Sequence, residues 1–170
     1  MGEMILDNLQ ESPDALRHLQ ERLSQCKRVV FTNGCFDILH VGHLRYLKAA
    51  RALGDCLIVA LNSDASVRGL KGPSRPLVPE EERAELMAAL EPVDWVVLFD
   101  EPSPVNLLKM LRPHVYVKGA QYNEGNLPET PVLKELGTEI AFVPMVDGRS
   151  TTAVVDKIKA ALIQDSCPAP

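Results

Sequence analysis

From residue 28 onward, short and almost wholly apolar runs alternate with stretches in which apolar side chains recur every three or four positions. The runs 28–32, 56–61, 93–99, 115–117 and 140–143 have the length and β-branched character of buried strands. Between them the spacing predicts helices over about 41–53 and over 79–90, the second with Leu86, Met87 and Leu90 on one face. Another helix is expected from Ser103-Pro104, with Ser103 as N-cap, Pro104 at the first helical position, and Leu107, Leu108 and Leu111 facing inward. A closing helix over 150–162 carries Val154, Val155, Ile158 and Leu162 at helical spacing. Ser12-Pro13 opens one more, with Leu16, Leu19 and Leu23 on one side.

Strands that are apolar on both faces and separated by helices indicate a parallel sheet covered on both sides. With right-handed crossovers, five of them make an α/β, Rossmann-like, doubly wound five-stranded parallel sheet in a single domain. The expected division is an N-terminal helical extension over 1–25, the domain proper over 26–163, and a flexible tail over 164–170.

Composition narrows the ligand. A net charge of −5 argues against a broad nucleic-acid surface, so any anion bound must meet a local cluster of donors. Cys26, Cys35, Cys56 and Cys167 form no C-x-x-C pair and match no zinc spacing, and they read as reduced thiols. The N-terminus lacks the basic and apolar regions of a signal peptide, and no apolar run reaches the roughly 20 residues needed to span a bilayer. A cytoplasmic protein is expected.

In an open parallel sheet, ligands bind beyond the carboxyl ends of the strands. The first such end is Thr32-Asn33-Gly34-Cys35-Phe36-Asp37-Ile38-Leu39-His40-Val41-Gly42-His43, a glycine-bearing loop that runs from a strand into a helix start. Free N–H groups and the helix dipole favour an anion there. His40 and His43 are three residues apart, which suits two imidazoles facing that anion, and Gly42 allows close approach to the backbone. Metal binding by the pair finds no third ligand. A second candidate is Asn62-Ser63-Asp64 followed by Arg68, Lys71 and Arg75 in a stretch containing Gly72, Pro73 and Pro76, read as a restricted basic loop beside the same sheet edge. The third is Gly148-Arg149-Ser150-Thr151-Thr152, whose three hydroxyls exceed what one N-cap needs and suit a phosphate cradle. Lys118, after the fourth strand, adds a cation at that edge, whereas His18 and His114 have no such context.

The stretch from Phe31 through His40-Val41-Gly42-His43 to Leu47 resembles the signature of the cytidylyltransferase-like superfamily, and most closely the adenylyltransferase domain of bacterial ADP-heptose synthases. Asn62-Ser63-Asp64-Ala65-Ser66-Val67, Leu70-Lys71-Gly72 with Arg75-Pro76, Val93-Asp94-Trp95-Val96-Val97 and Ser150-Thr151-Thr152 agree with it as well. The resemblance runs from about residue 20 to 160. It implies ATP and a sugar 1-phosphate (D-glycero-D-manno-heptose 1-phosphate) as substrates, ADP-heptose and pyrophosphate as products, a Mg2+ requirement and a homodimer. Carried over position by position, it implies that His40, Gly42 and His43 meet the triphosphate and that Thr32, Asn33, Phe36 and Lys118 line the nucleotide site. Ser150, Thr151 and Thr152 would grip the leaving phosphates, Lys71 and Arg75 would hold phosphates, and Asp37, Asn62 and Gln121 would lie toward the acceptor. Where the family has Lys-Gly-Gly-Asp-Tyr, this chain has Lys118-Gly119-Ala120-Gln121-Tyr122, and 123–132 also differs. These departures bear on which acceptor and base are taken. Many relatives are fused to a sugar kinase, so a separate kinase is expected to supply the phosphorylated sugar.

The implied reaction is in-line attack of an acceptor phosphate oxygen on the α-phosphorus. A phosphate monoester has a second pKa near 6, so the nucleophile is already ionised at neutral pH and needs no general base. His40, His43 and Lys71 are the residues expected to stabilise the developing charge. The alternatives are a cytidylyltransferase for glycerol 3-phosphate or an amino-alcohol phosphate, and a nucleotide-sensing module without catalysis.

Overall fold

The computed structural model describes residues 2–6, 9–144 and 151–165, with side chains to residue 162 in the last segment. Six parallel strands form one sheet: β1 (Glu3–Ile5), β2 (Val29–Gly34), β3 (Cys56–Asn62), β4 (Trp95–Phe99), β5 (Val115–Gly119) and β6 (Glu139–Val143), in the order β1-β4-β3-β2-β5-β6. The α/β single domain expected from the sequence is present, with one correction: the sheet has six strands, not five. The additional strand, β1, is three residues long and pairs Glu3, Met4 and Ile5 with Trp95, Val96 and Val97 at the sheet edge. So short a run shows no periodicity of its own.

Successive strand residues point to opposite faces. Val29, Phe31, Ile58, Ala60, Trp95, Val97, Phe99 and Tyr116 pack on one side, and Val30, Leu57, Val59, Leu61, Val96, Leu98, Val115 and Val117 on the other. Helices α1 (Pro13–Leu23), α5 (Val105–Leu111) and α6 (Thr130–Leu136) cover the first face through Leu19, Leu23, Leu107, Leu108, Val132 and Leu133. Helices α2 (Val41–Arg51) and α4 (Glu80–Ala88) cover the second through Tyr46, Leu47, Ala50, Ala84 and Met87. Burial on both sides is why the central strands β2 to β5 read as unbroken apolar runs.

Several local expectations shift. The helix after β4 begins at Val105, and Ser103 gives its hydroxyl to Glu129 instead of capping. Residues 64–71, expected as loop, form helix α3 (Asp64–Lys71), whose N-cap Ser63 accepts from the Ser66 amide at 3.2 Å. Helix α6 was not anticipated either. The closing helix α7 (Thr151–Asp165) forms, but Ile158 and Leu162 are exposed rather than packed on the core. His114 and His18 prove local: His114 Nδ1 accepts the Val29 amide at 3.0 Å, and His18 sits beside Glu3 and Trp95.

The chain winds outward from β2 in both directions, to β3 and β4 on one side and to β5 and β6 on the other. The carboxyl ends of β2 and β5 therefore flank the topological switch point, where the connections diverge and leave a crevice.

Candidate active site

That crevice is a cleft of about 480 Å³. Its lining comes from Asn33 to Asp37 at the end of β2 and just beyond it, from His43 and Tyr46 on α2, from Asn62, Leu70 and Lys71 around α3, and from Pro102, Lys118, Gly119, Gln121, Tyr122, Pro128, Glu129 and Thr151. Three separate stretches of the sequence reading thus meet at one place.

The loop after β2 turns through Phe36, which has a φ of 46°, a left-handed conformation uncommon for a non-glycine residue. Strain of this kind persists only where packing enforces it, and here the Phe36 ring is buried edge-on against His43, with centroids 5.1 Å apart. His40 occupies the N-cap of α2 and stacks on His43 at 3.8 Å with rings 17° from parallel. Burial, the neighbouring His40 and Lys71 together lower the His43 pKa to about 4. His43 Nδ1 is buried without a hydrogen-bond partner among the described residues. His43 is therefore a desolvated, neutral imidazole at the cleft wall, with a buried ring nitrogen that a ligand can satisfy.

Asp37 and Arg75, expected as separate ligands of acceptor or phosphate, bind one another. Asp37 is 3% exposed, takes Arg75 Nη1 at 2.5 Å, and accepts the Leu77 and Val78 amides at 2.7 and 3.1 Å. Burial alone would raise its pKa, but Arg75 and those amides outweigh it and hold the carboxyl below its ordinary value. Arg75 is thereby committed to closing the 72–79 loop onto the β2 loop, and it does not line the cleft. Lys71, the last residue of α3, is exposed and does line it.

Thr32 also departs from expectation. It is fully buried, bonded to Tyr46 Oη at 2.7 Å and to the Val117 carbonyl at 3.0 Å, and so joins β2, α2 and β5 beneath the cleft instead of lining it. Asn33 does line it, accepting from Tyr116 Oη at 2.7 Å and from Lys118 Nζ at 3.2 Å through its backbone carbonyl. Asn62 is buried, with Nδ2 on Ser66 Oγ at 3.0 Å. Gly42 is buried in the first turn of α2. Gln121 is exposed at the rim, Thr151 reaches the cleft from the start of α7, and Thr152 is exposed. Ser150 lies outside the described residues.

Two residues escaped the sequence reading. Arg83 on α4 is 1% exposed and donates to the carbonyls of Val78, Cys35 and Asn62 at 2.9, 2.6 and 3.0 Å and to Asp64 Oδ1 at 2.8 Å. It ties the β2 loop, the end of β3, α3 and the 72–79 loop into one unit. The other, Glu129, lies 5% exposed at the start of α6. An arginine in an amphipathic helix carries no mark of burial, and a glutamate before a helix reads as solvent-facing.

The cleft thus combines a glycine-bearing strand-to-helix loop, a stacked histidine pair at a helix start, a lysine at a neighbouring helix end and a threonine opening another helix. The cytidylyltransferase-like family model matches residues 31–159, which contain every one of these parts. The chain belongs to the cytidylyltransferase-like family. The bifunctional protein HldE of Geobacter sulfurreducens is 54% identical over 138 residues, 81% of this chain and 28% of that protein. HldE of Magnetococcus marinus is 44% identical over 94% of this chain and 34% of its own length. The chain therefore spans about a third or less of these relatives. The crystal structure of a lipopolysaccharide core biosynthesis protein from Thermoplasma volcanium aligns with a TM-score of 0.61 at 26% identity, covering 71% of this chain and 98% of that one.

Proposed function

We propose that this cytidylyltransferase-like domain transfers AMP from ATP to a sugar 1-phosphate, D-glycero-D-manno-heptose 1-phosphate, giving ADP-heptose and pyrophosphate for lipopolysaccharide core synthesis. The observation that carries the reading is the stacked His40–His43 pair beside Lys71 in the switch-point cleft, within a chain 54% identical to an HldE protein. The acceptor phosphate is its own nucleophile, so the domain's task is to align it and to stabilise charge at the α-phosphate.

In this reading His40, His43 and the α2 N-terminus meet the triphosphate, and Ser150, Thr151 and Thr152 hold the leaving pyrophosphate. Lys71 reaches over the phosphates from α3. Asn33, Phe36 and Gly42 shape the nucleotide side, with Thr32 supporting it from below, while Lys118, expected there, stands at the β5 edge of the cleft between Asn33 and Glu129. Asn62 and Gln121 lie toward the acceptor, and the Asp37–Arg75 pair fixes the loop between the two. Among the described residues no cluster of three His, Cys, Asp or Glu side chains is arranged for a metal, and Asp37 is already saturated. That donor set fits a Mg2+ carried largely by substrate oxygens and water, which when bound neutralises phosphate charge.

The same reading places the protein in the cytoplasm, where both substrates occur, as a homodimer served by a sugar kinase acting upstream. No described helix is long and apolar enough to cross a membrane. The test is pyrophosphate release with ATP, CTP and GTP, each paired with a panel of sugar and polyol phosphates. ATP with the heptose 1-phosphate is expected to be the best pair, and a preference for CTP with glycerol 3-phosphate would overturn the assignment.

A further inference from the structure

On the β5 side of the cleft lies a carboxylate that neither the fold nor the phosphate chemistry uses in full. Glu129 stands at the N-cap of α6 without capping it. One oxygen, Oε1, accepts the Ser103 hydroxyl at 2.8 Å, while Oε2 is buried with no hydrogen-bond partner among the described residues. The residue is 5% exposed and lines the cleft together with Lys118, Tyr122, Gln121, Pro128 and Pro102. Tyr116 lies near enough that burial, and then Glu129, push its phenol pKa up, but its single proton already goes to Asn33 Oδ1 at 2.7 Å. Lys118 is half-buried, and that desolvation lowers its pKa against the opposing pull of Glu129, while it gives one N–H to the Asn33 carbonyl.

A buried carboxylate oxygen left without a donor is costly, so a ligand that brings a donor to Glu129 Oε2 is favoured. Phosphate groups bring only acceptors. A base edge also sets a donor beside an acceptor (an exocyclic amine next to a ring nitrogen), so the nucleotide is the rival ligand that the ATP arm of the test separates. Sugar hydroxyls do both, and the apolar face of a sugar ring suits the Tyr122 and Pro128 surfaces beside them. We propose that Glu129 and Lys118 form a subsite that reads neighbouring hydroxyls of the acceptor sugar, Glu129 Oε2 accepting from one and Lys118 Nζ donating to the next. This deepens the acceptor assignment above and rests on it. It also supplies a physical origin for selectivity among sugar phosphates, because a site built around a hydroxyl penalises the analogue that lacks it.

The test uses the full chain. Calorimetry measures ATP alone, and separately the heptose 1-phosphate and its single-deoxy analogues, for wild type and Glu129→Gln, with turnover recorded for each. The amide keeps Oε1 for Ser103 and replaces Oε2 with a donor. Glu129→Gln is expected to weaken the parent sugar phosphate by about 10-fold or more, with ATP affinity within about 2-fold. One deoxy analogue is expected to bind wild type about 10-fold worse than the parent and to bind the variant no worse than the parent. Glu129→Asp keeps the charge but retracts it, and serves as the second variant if the amide disturbs folding, with the same split expected. Loss of ATP affinity with sugar binding unchanged would assign the carboxylate to the nucleotide, and no change in either would leave it structural, so both overturn the proposal. A wild type that adenylylates sugar phosphates while Glu129→Gln behaves identically refutes this subsite alone, whereas a wild type that neither binds nor adenylylates any sugar phosphate refutes the acceptor assignment itself.

Discussion

At the scale of single residues the cleft holds a histidine kept neutral. His43 is desolvated, stacked on His40 and close to Lys71, and its pKa of about 4 means that it meets neutral solution as an uncharged imidazole with one N–H to donate. If that donor acts on charge developing at the α-phosphate, His43→Ala should lower kcat by roughly 100-fold while ATP affinity changes far less. Single-turnover kinetics beside calorimetry separate the two quantities. The same shift has a consequence for stability. An unfolded histidine takes up a proton near pH 6.5, whereas folded His43 resists until about pH 4. Between those values the unfolded chain binds more protons, so stability should fall as pH drops from 6.5 to 4. Urea titrations across that window should show a shallower fall in His43→Gln, and an equal slope in both proteins would contradict the shift. The histidines were legible because the motif is contiguous and follows a strand. The Asp37–Arg75 pairing and the burial of Glu129 were not, since each depends on partners 38 and 26 residues away in the chain.

At the scale of elements, the long and strongly patterned ones could be read from the sequence, and the short ones could not. β1 has three residues, and α3 has eight with Gly69 inside it and Gly72 after it, which made its segment read as loop. Because α3 is a helix, Lys71 is presented from a defined end, and the segment after it is held by Asp37 through Arg75, Leu77 and Val78. Lys71→Ala is expected to reduce turnover, and hydrogen-exchange protection over 68–76 should rise when both substrates bind. Unchanged kinetics with unchanged exchange would make Lys71 a solvated side chain. Arg83 holds these elements together. Replacing it by Met leaves three carbonyls and the Asp64 carboxylate without their donor, so Arg83→Met should cost about 3 kcal/mol in urea unfolding. A loss under about 1 kcal/mol would show that water replaces the guanidinium without penalty.

At the scale of the whole molecule, the sheet order decides where chemistry happens. The divergence of connections from β2 opens the cleft, and motifs spread from residue 33 to residue 151 arrive there because each lies at a strand carboxyl end or at a helix terminus. That convergence was legible in the alternation of strands and helices, well before any contact was known. What the alternation did not carry was the packing of α7, whose apolar Ile158 and Leu162 are exposed. The central claim is that an acceptor phosphate attacks the α-phosphorus of ATP, and isotope transfer tests it most directly. Incubated with α-labelled ATP and the heptose 1-phosphate, the protein should move the label into an ADP-sugar and release unlabelled pyrophosphate in equal amount. Label remaining in ADP while the γ-phosphate moves to the sugar, or label released as AMP at the same rate without acceptor, would contradict it.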